Sequence, residues 1–153
     1  MLQYDFEESI GYWLTLSTQA YHRALSEAIA PYGITYRQSQ VLGWLVLKKE
    51  MSQAQLAAKM MIEPPTLAGI LERMERCGWI VRRHCEEDRR KKWIQAAPAA
   101  EPVWEKIVEC AMGIRSRATE GLSERQQATL KKLLRRVNKN LATRSSAATA
   151  KAP

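Results

Sequence analysis

Six basic side chains crowd one short stretch near the middle of the chain: Arg82, Arg83, Arg89, Arg90, Lys91 and Lys92, set against Glu86, Glu87 and Asp88. Cationic heads at that density suit a polyanion. A narrow ribbon tip that carries arginine fits the minor groove of duplex DNA, where the negative potential attracts it. Asp88, two residues ahead of Arg90, is placed to hold that guanidinium by a bidentate pair and so preset its approach. A plainer reading has the same charges solvating and protecting a hairpin edge. Just upstream, residues 52–78 (SQAQLAAKMMIEPPTLAGILERMERCG) read as a short capped helix, a turn and a second helix. In the second helix Leu67, Ile70, Leu71 and Met74 fall within about 100° of one another and form an inward face. The opposite face holds Pro65, Gly69, Glu72, Arg73 and Arg76, with Thr66 at its edge. Small side chains near a helix N-terminus let its backbone press into a major groove, and arginines beyond them reach phosphates or guanine edges. An ordinary amphipathic helix pair is the alternative this segment leaves open; the basic ribbon directly after it favours the nucleic acid.

The bulk chemistry agrees. Twenty-four Lys and Arg face sixteen Asp and Glu, a formal charge of +8. Nucleic acid is the usual partner of such a chain, with an acidic membrane surface second. The charge is uneven: residues 1–31 hold Asp5, Glu7, Glu8 and Glu27 against Arg23, whereas seven bases and no acid follow Thr129. Three cysteines (Cys77, Cys85, Cys110) form no disulfide framework. Cys85 beside His84 reads as an inert strand cysteine. Two histidines with no clustered ligands offer no zinc site. Nothing resembles a nucleophile-and-base pair or a phosphate loop. The expectation is therefore a protein with no catalytic residues, no metal and no cofactor. The start MLQYDFEESIGYW lacks the basic opening and unbroken apolar run of a signal peptide, and no window is apolar enough to span a membrane. A cytoplasmic protein is expected.

The elements that must position these residues follow from apolar spacing and capping signals. From 5 to about 32, Ile10, Trp13, Leu14, Tyr21, Leu25, Ala28 and Ile29 mark one face of a long helix, stopped by Pro31-Tyr32-Gly33. Thr35-x-x-Gln38 is a capping box opening a helix from 36 to about 47, with Val41, Leu42, Leu45 and Val46 inward. Ser52-x-x-Gln55 repeats the device, with Met51 placed to staple against Leu56. The next helix begins near Pro64 or Pro65 and ends at Gly78. Two strands, 79–85 and 92–96, flank a charged loop over 86–91. Beyond Pro98, Val103, Ile107, Ala111, Ile114 and Ala118 mark another long helix, and Ser123-x-x-Gln126 opens a last one carrying Leu130, Leu133, Leu134, Val137 and Leu141. The fold class is thus mainly α with a small β-hairpin wing: a winged helix-turn-helix over 34–98, helical dimerisation regions over 1–33 and 99–143, and a disordered tail over 144–153. An acidic first helix and a basic last one would offset each other if paired between two chains, so a homodimer is expected.

The stretch CGWIVRRHCEEDRRKKWIQAAPAAEPVWEKI resembles the wing and following helix of the MarR family, especially its SlyA-like branch. The match is to D-x-R followed by a short strand ending in Leu-Thr. Asp88, Arg90 and Ile94 fit it, while Ala96 and Ala97 stand where Leu and Thr are usual. IEPPTLAGILERMERCGWI is similar to the family's recognition helix and the turn that ends it, with Gly69 where related chains often carry a polar or basic side chain. The resemblance runs from about 11 to 141. It implies a bacterial, nucleoid-associated homodimer whose terminal helices interlock and whose two winged modules read an inverted repeat in double-stranded DNA. By analogy the helix from Pro65, with Thr66, Gly69 and Arg73, enters the major groove. Arg90, among Arg89, Lys91 and Lys92, enters the minor groove, and Ser52 and Gln53 bind backbone phosphate. Many members respond to small phenolic or aromatic acids; Trp13, His22, Tyr36 and Trp44, with Arg23, are the candidate lining for such an effector, against a plainer role in packing. Cysteine-based sensing near the first helix does not carry over, since no cysteine precedes Cys77.

Three functions compete on this reading: a sequence-specific transcriptional regulator, mostly repressing; an architectural or anti-silencing binder of A/T-rich DNA; and a protein-interaction module without DNA. The wing's bases speak against the last.

Overall fold

The computed structural model describes residues 5–84 and 92–148. The chain divides into two compact units, 1–114 and 115–153. In the first, α1 (Ile10–Ile29) passes through a 3-10 turn over Ala30–Tyr32 into α2 (Tyr36–Lys48), β1 (Glu50–Ser52), α3 (Gln53–Met60), α4 (Pro64–Arg76), β2 (Ile80–His84) and β3 (Lys92–Ala96). A 3-10 turn over Pro98–Ala100 then leads into α5 (Glu101–Ala118). The second unit takes the end of α5 and α6 (Glu124–Ala148).

All three capping boxes form. Thr35 Oγ1 accepts from Gln38 N while Gln38 Oε1 accepts from Thr35 N. Ser52 with Gln55, and Ser123 with Gln126, repeat the exchange. Each box satisfies two amide donors that the helix start would otherwise leave open. Within the first unit one core gathers Leu25 and Ile29 of α1, Val41, Leu42 and Leu45 of α2, Leu56 of α3, Leu67, Ile70, Leu71 and Met74 of α4, Ile80 and Ile94 of the sheet, and Ile107 and Ile114 of α5. Met51 and Leu56, the expected staple, are both buried in it.

Four expectations are corrected. The first helix starts at Ile10, not 5, because Asp5 Oδ1 accepts from Glu8 N in a local turn that competes with helical bonding. Val46 is 51% exposed rather than inward. The buried Gln38, Val41, Leu42 and Leu45 set the inner face of α2, and Val46 lies about 90° from its centre. The sheet has three strands, ordered β1-β3-β2 and antiparallel throughout, rather than two. Its extra strand, β1, places Met51 across from Ile94, which fixes α3 against the base of the wing. Finally α6 continues to Ala148, five residues into the expected tail; Arg144, Ala147 and Ala148 are good helix formers, and extending an existing helix is cheap. The tail from 149 lies outside the described residues.

Two helices carry apolar side chains that nothing in their own unit covers. On α1 these are Ile10, Trp13 and Leu16; on α6, Leu130, Leu133, Leu134 and Leu141. Among the described residues no helix is long and apolar enough to cross a membrane.

Candidate nucleic-acid interface

The helix-turn-helix is built by local chemistry. α3 stops where Met61 turns left-handed (φ 50°), with Ile62 N donating to Ala57 O. Glu63 is extended and caps α4 with no side-chain bond. Pro64 and Pro65 then occupy the first two helical positions and remove two of the unpaired donors a helix start presents. Leu67 N already bonds Glu63 O, so Thr66 retains the one free amide of this turn, beside its own hydroxyl. α4 ends in a Schellman motif: Gly78 at φ +71° donates to Glu75 O, and Trp79 N to Met74 O. That turn swings the chain directly into β2.

Leu67, Ile70, Leu71 and Met74 anchor α4 in the core and fix which face looks out. Pro65, Thr66 and Arg73 are exposed, and Gly69 lies between them. A Cβ at Gly69 would meet no heavy atom within 4 Å. Arg76 is tied to Glu72 at 3.4 Å, whereas Arg73 has no ion pair among the described residues. Ser52 and Gln53 sit half-buried at the start of α3. Ser52 Oγ accepts from Gln55 N, which leaves its hydroxyl hydrogen available for an anion. Lys92 is exposed at the start of β3, its Cα opposite that of His84. Arg89, Arg90 and Lys91, with Cys85 and Asp88, lie outside the described residues. The structure thus gathers Pro65, Thr66, Gly69 and Arg73 on one face of α4, and separately places Ser52 and Gln53 at the α3 start and Lys92 at the wing base.

Arg82 departs from the reading of an outward basic ribbon. Its Cα pairs with that of Ile94, which is buried, so both face inward. Its Nε lies 3.0 Å from Glu75 Oε2 in an ion pair that falls short of hydrogen-bond geometry. The signal was present in the sequence: two-residue alternation from Ile80 puts Arg82 on the core side of β2. Between β1 and the central β3, Gln95 Nε2 donates to Glu50 Oε2 at 2.6 Å.

Of the effector candidates, the structure brings two together. The His22 and Tyr36 rings stand 4.4 Å apart at 39°, and burial pushes the Tyr36 phenol above its ordinary 10.0. Trp44 packs beside the core with Lys59 Nζ 5.7 Å from its ring centre. Trp13 is exposed on α1, its Nε1 donating to Glu7 O at 2.7 Å. Arg23 is exposed. Among the described residues no cluster of three His, Cys, Asp or Glu side chains is placed to hold a metal ion.

A three-helix core with a hairpin behind it defines the class as a winged helix. Residues 32–91 match the model of the MarR family. A probable transcriptional regulator from Pseudomonas aeruginosa is 28% identical, with a TM-score of 0.73 over 87% of this chain and 99% of its own. A MarR variant from E. coli, solved in complex with operator DNA, is 23% identical with a TM-score of 0.75 over 88% of this chain and 99% of its own. BpsR from Bordetella bronchiseptica, whose DNA binding is regulated by 6-hydroxynicotinic acid, is 24% identical with a TM-score of 0.74 over 86% and 99%. The family match thus covers the winged-helix segment, and the likeness to solved structures extends the same fold over most of the chain.

Proposed function

We propose that the protein is a homodimeric, sequence-specific DNA-binding transcriptional regulator, acting as a repressor on an inverted repeat. The observation that carries this reading is the outward face of α4. It presents a proline, a threonine and a glycine and then Arg73, which has no ion pair among the described residues, in a helix locked at both ends and followed at once by a strand that leads into a basic stretch of sequence. The face is shaped for close approach of a groove rather than for burial against protein. Pro65, Thr66, Gly69 and Arg73 are assigned to the major groove, Ser52 and Gln53 to phosphate, and Arg89, Arg90, Lys91 and Lys92 to the minor groove and its flanks. The E. coli relative held on operator DNA supports the assignment.

The uncovered leucines of α6 and apolar residues of α1 support dimerisation by the terminal helices. Fully covering one leucine is worth about 1.5–3 kcal/mol, so a face of four is a substantial driving force. The contacting His22 and Tyr36 rings are the assigned nucleus of a site for a small aromatic or phenolic acid that relieves binding. The Bordetella relative's response to 6-hydroxynicotinic acid is the chemistry in point.

A second reading, an architectural or anti-silencing protein that follows A/T-rich shape, is favoured by one feature: Gly69 offers no side chain to a base edge. Measuring affinity for a generic duplex against salt tests what both readings share. Each protomer brings Arg73, Arg89, Arg90, Lys91 and Lys92, so binding should fall steeply, with a slope of about −0.9 per phosphate neutralised. A flat salt response, or no binding at low salt, sends the reading back to a protein partner.

A further inference from the structure

Arg82 is an inward-facing arginine on a strand that leads to the wing tip. Its neighbours on that face are the buried Ile80 and, across the ladder, Ile94. Its Nε is closed off from solvent and makes no hydrogen bond. Among the described residues Glu75, 3.0 Å away, is the counter-charge it has. Glu75 lies on the flank of α4, roughly a quarter-turn from the centre of the buried face and as far from that of the outward face. It therefore joins the helix that offers Gly69 and Arg73 to the strand that carries the wing, across a loop already closed by the Gly78 and Trp79 amides.

We infer that Glu75 and Arg82 form a strut that sets the angle between α4 and the wing, which makes Glu75 a positioning residue for duplex binding. The inference rests on the duplex-binding reading. Two elements that must enter adjacent grooves together bind best when their relative angle is fixed beforehand, because the cost of ordering them on the DNA is then removed. Ile80 anchors the near end of β2 in the core, Arg82 is the next residue on the inner side, and the strut ties it to α4.

The sign of one substitution separates this role from simple electrostatics. Glu75→Gln removes a negative charge near the DNA-facing surface. If Glu75 acted only through its charge, the variant would bind any duplex more tightly. A strut predicts the reverse for a duplex recovered by selection from a random library: a loss of about tenfold. Affinity for generic duplex should hold or rise slightly, and the melting temperature should stay near that of the wild type, since Glu75 is 44% exposed and glutamine keeps an acceptor oxygen beside Arg82. The charge-swapped double variant Glu75→Arg, Arg82→Glu should recover part of the loss seen in each single variant. Amide exchange over 80–84 and 92–96 in the free full-length protein gives a readout that needs no DNA, and Glu75→Gln should accelerate it at the outer end of the ladder. Selected-duplex affinity equal to or better than wild type, or a double variant no better than the summed singles, overturns the strut. Should the wild type bind no duplex at all, the functional reading fails instead, and unchanged exchange in Glu75→Gln would then sink the strut separately.

Discussion

Replacing Gly69 by alanine adds one methyl group to the outward face of α4, where two consequences of opposite sign are expected. Gly69 sits in the helix interior without a left-handed φ, and an added Cβ meets nothing within 4 Å. The fold therefore has no steric use for glycine here, and glycine costs a helix about 1 kcal/mol relative to alanine. Gly69→Ala should stabilise the free protein by about that amount, raising the melting temperature by roughly 2–4 °C for a chain of this size. On DNA the same methyl must fit between α4 and the groove wall. Forcing an extra methyl into a packed contact typically costs about 1–3 kcal/mol, a roughly five- to 150-fold loss in affinity. Thermal melting by circular dichroism and titration of a fluorescent selected duplex read the two effects independently. A variant that melts higher and binds worse supports a glycine kept for the groove. Lower melting would show that the space around Gly69 is misjudged, and unchanged affinity would remove Gly69 from the interface.

Further outcomes follow from the same assignments. Arg90→Ala should weaken binding at the flanks of the site and lower the salt slope by about one unit per protomer, with the dimer intact by sedimentation; full affinity would take the wing out of the interface. Leu133→Glu with Leu134→Glu places two carboxylates on the uncovered face of α6, so the chain should sediment as a monomer, and a persistent dimer would refute the terminal-helix interface. The Tyr36 phenol, raised by burial, keeps its proton better in the folded than in the unfolded chain. Stability should therefore fall as pH climbs above the ordinary 10.0, and Tyr36→Phe should flatten that fall in alkaline melting curves. An unaltered curve would mean the ring is not buried as described.

Much of the architecture was legible because its signals are local. Each capping box is a four-residue pattern whose partners lie within one turn, so Thr35, Ser52 and Ser123 mark helix starts without reference to the rest of the chain. The inward set of α4 was equally plain, since its 3.6-residue spacing is unbroken from Leu67 to Met74. What escaped depends on distant partners. β1 is three residues long, too short for alternation to show, and exists because Met51 finds Ile94 more than forty residues away. Apolar spacing alone points Val46 inward, but Gln38, a polar residue, occupies the inner face through its bond to Thr35 N. Composition groups Arg82 with the basic ribbon, although its register beside Ile80 points it to Glu75. Of the candidate site, the outward residues of α4 follow from the inward ones by subtraction. The effector candidates, by contrast, share only residue type in the sequence, and among them His22 and Tyr36 come into ring contact.

The most direct test of the central claim is selection of binding sites from a random duplex library by the full-length protein. An inverted repeat whose half-sites lie about one helical turn apart is the expected result, bound by two protomers. Enrichment of A/T-rich sequence without symmetry, or of no sequence at all, would contradict a dimeric sequence-specific regulator.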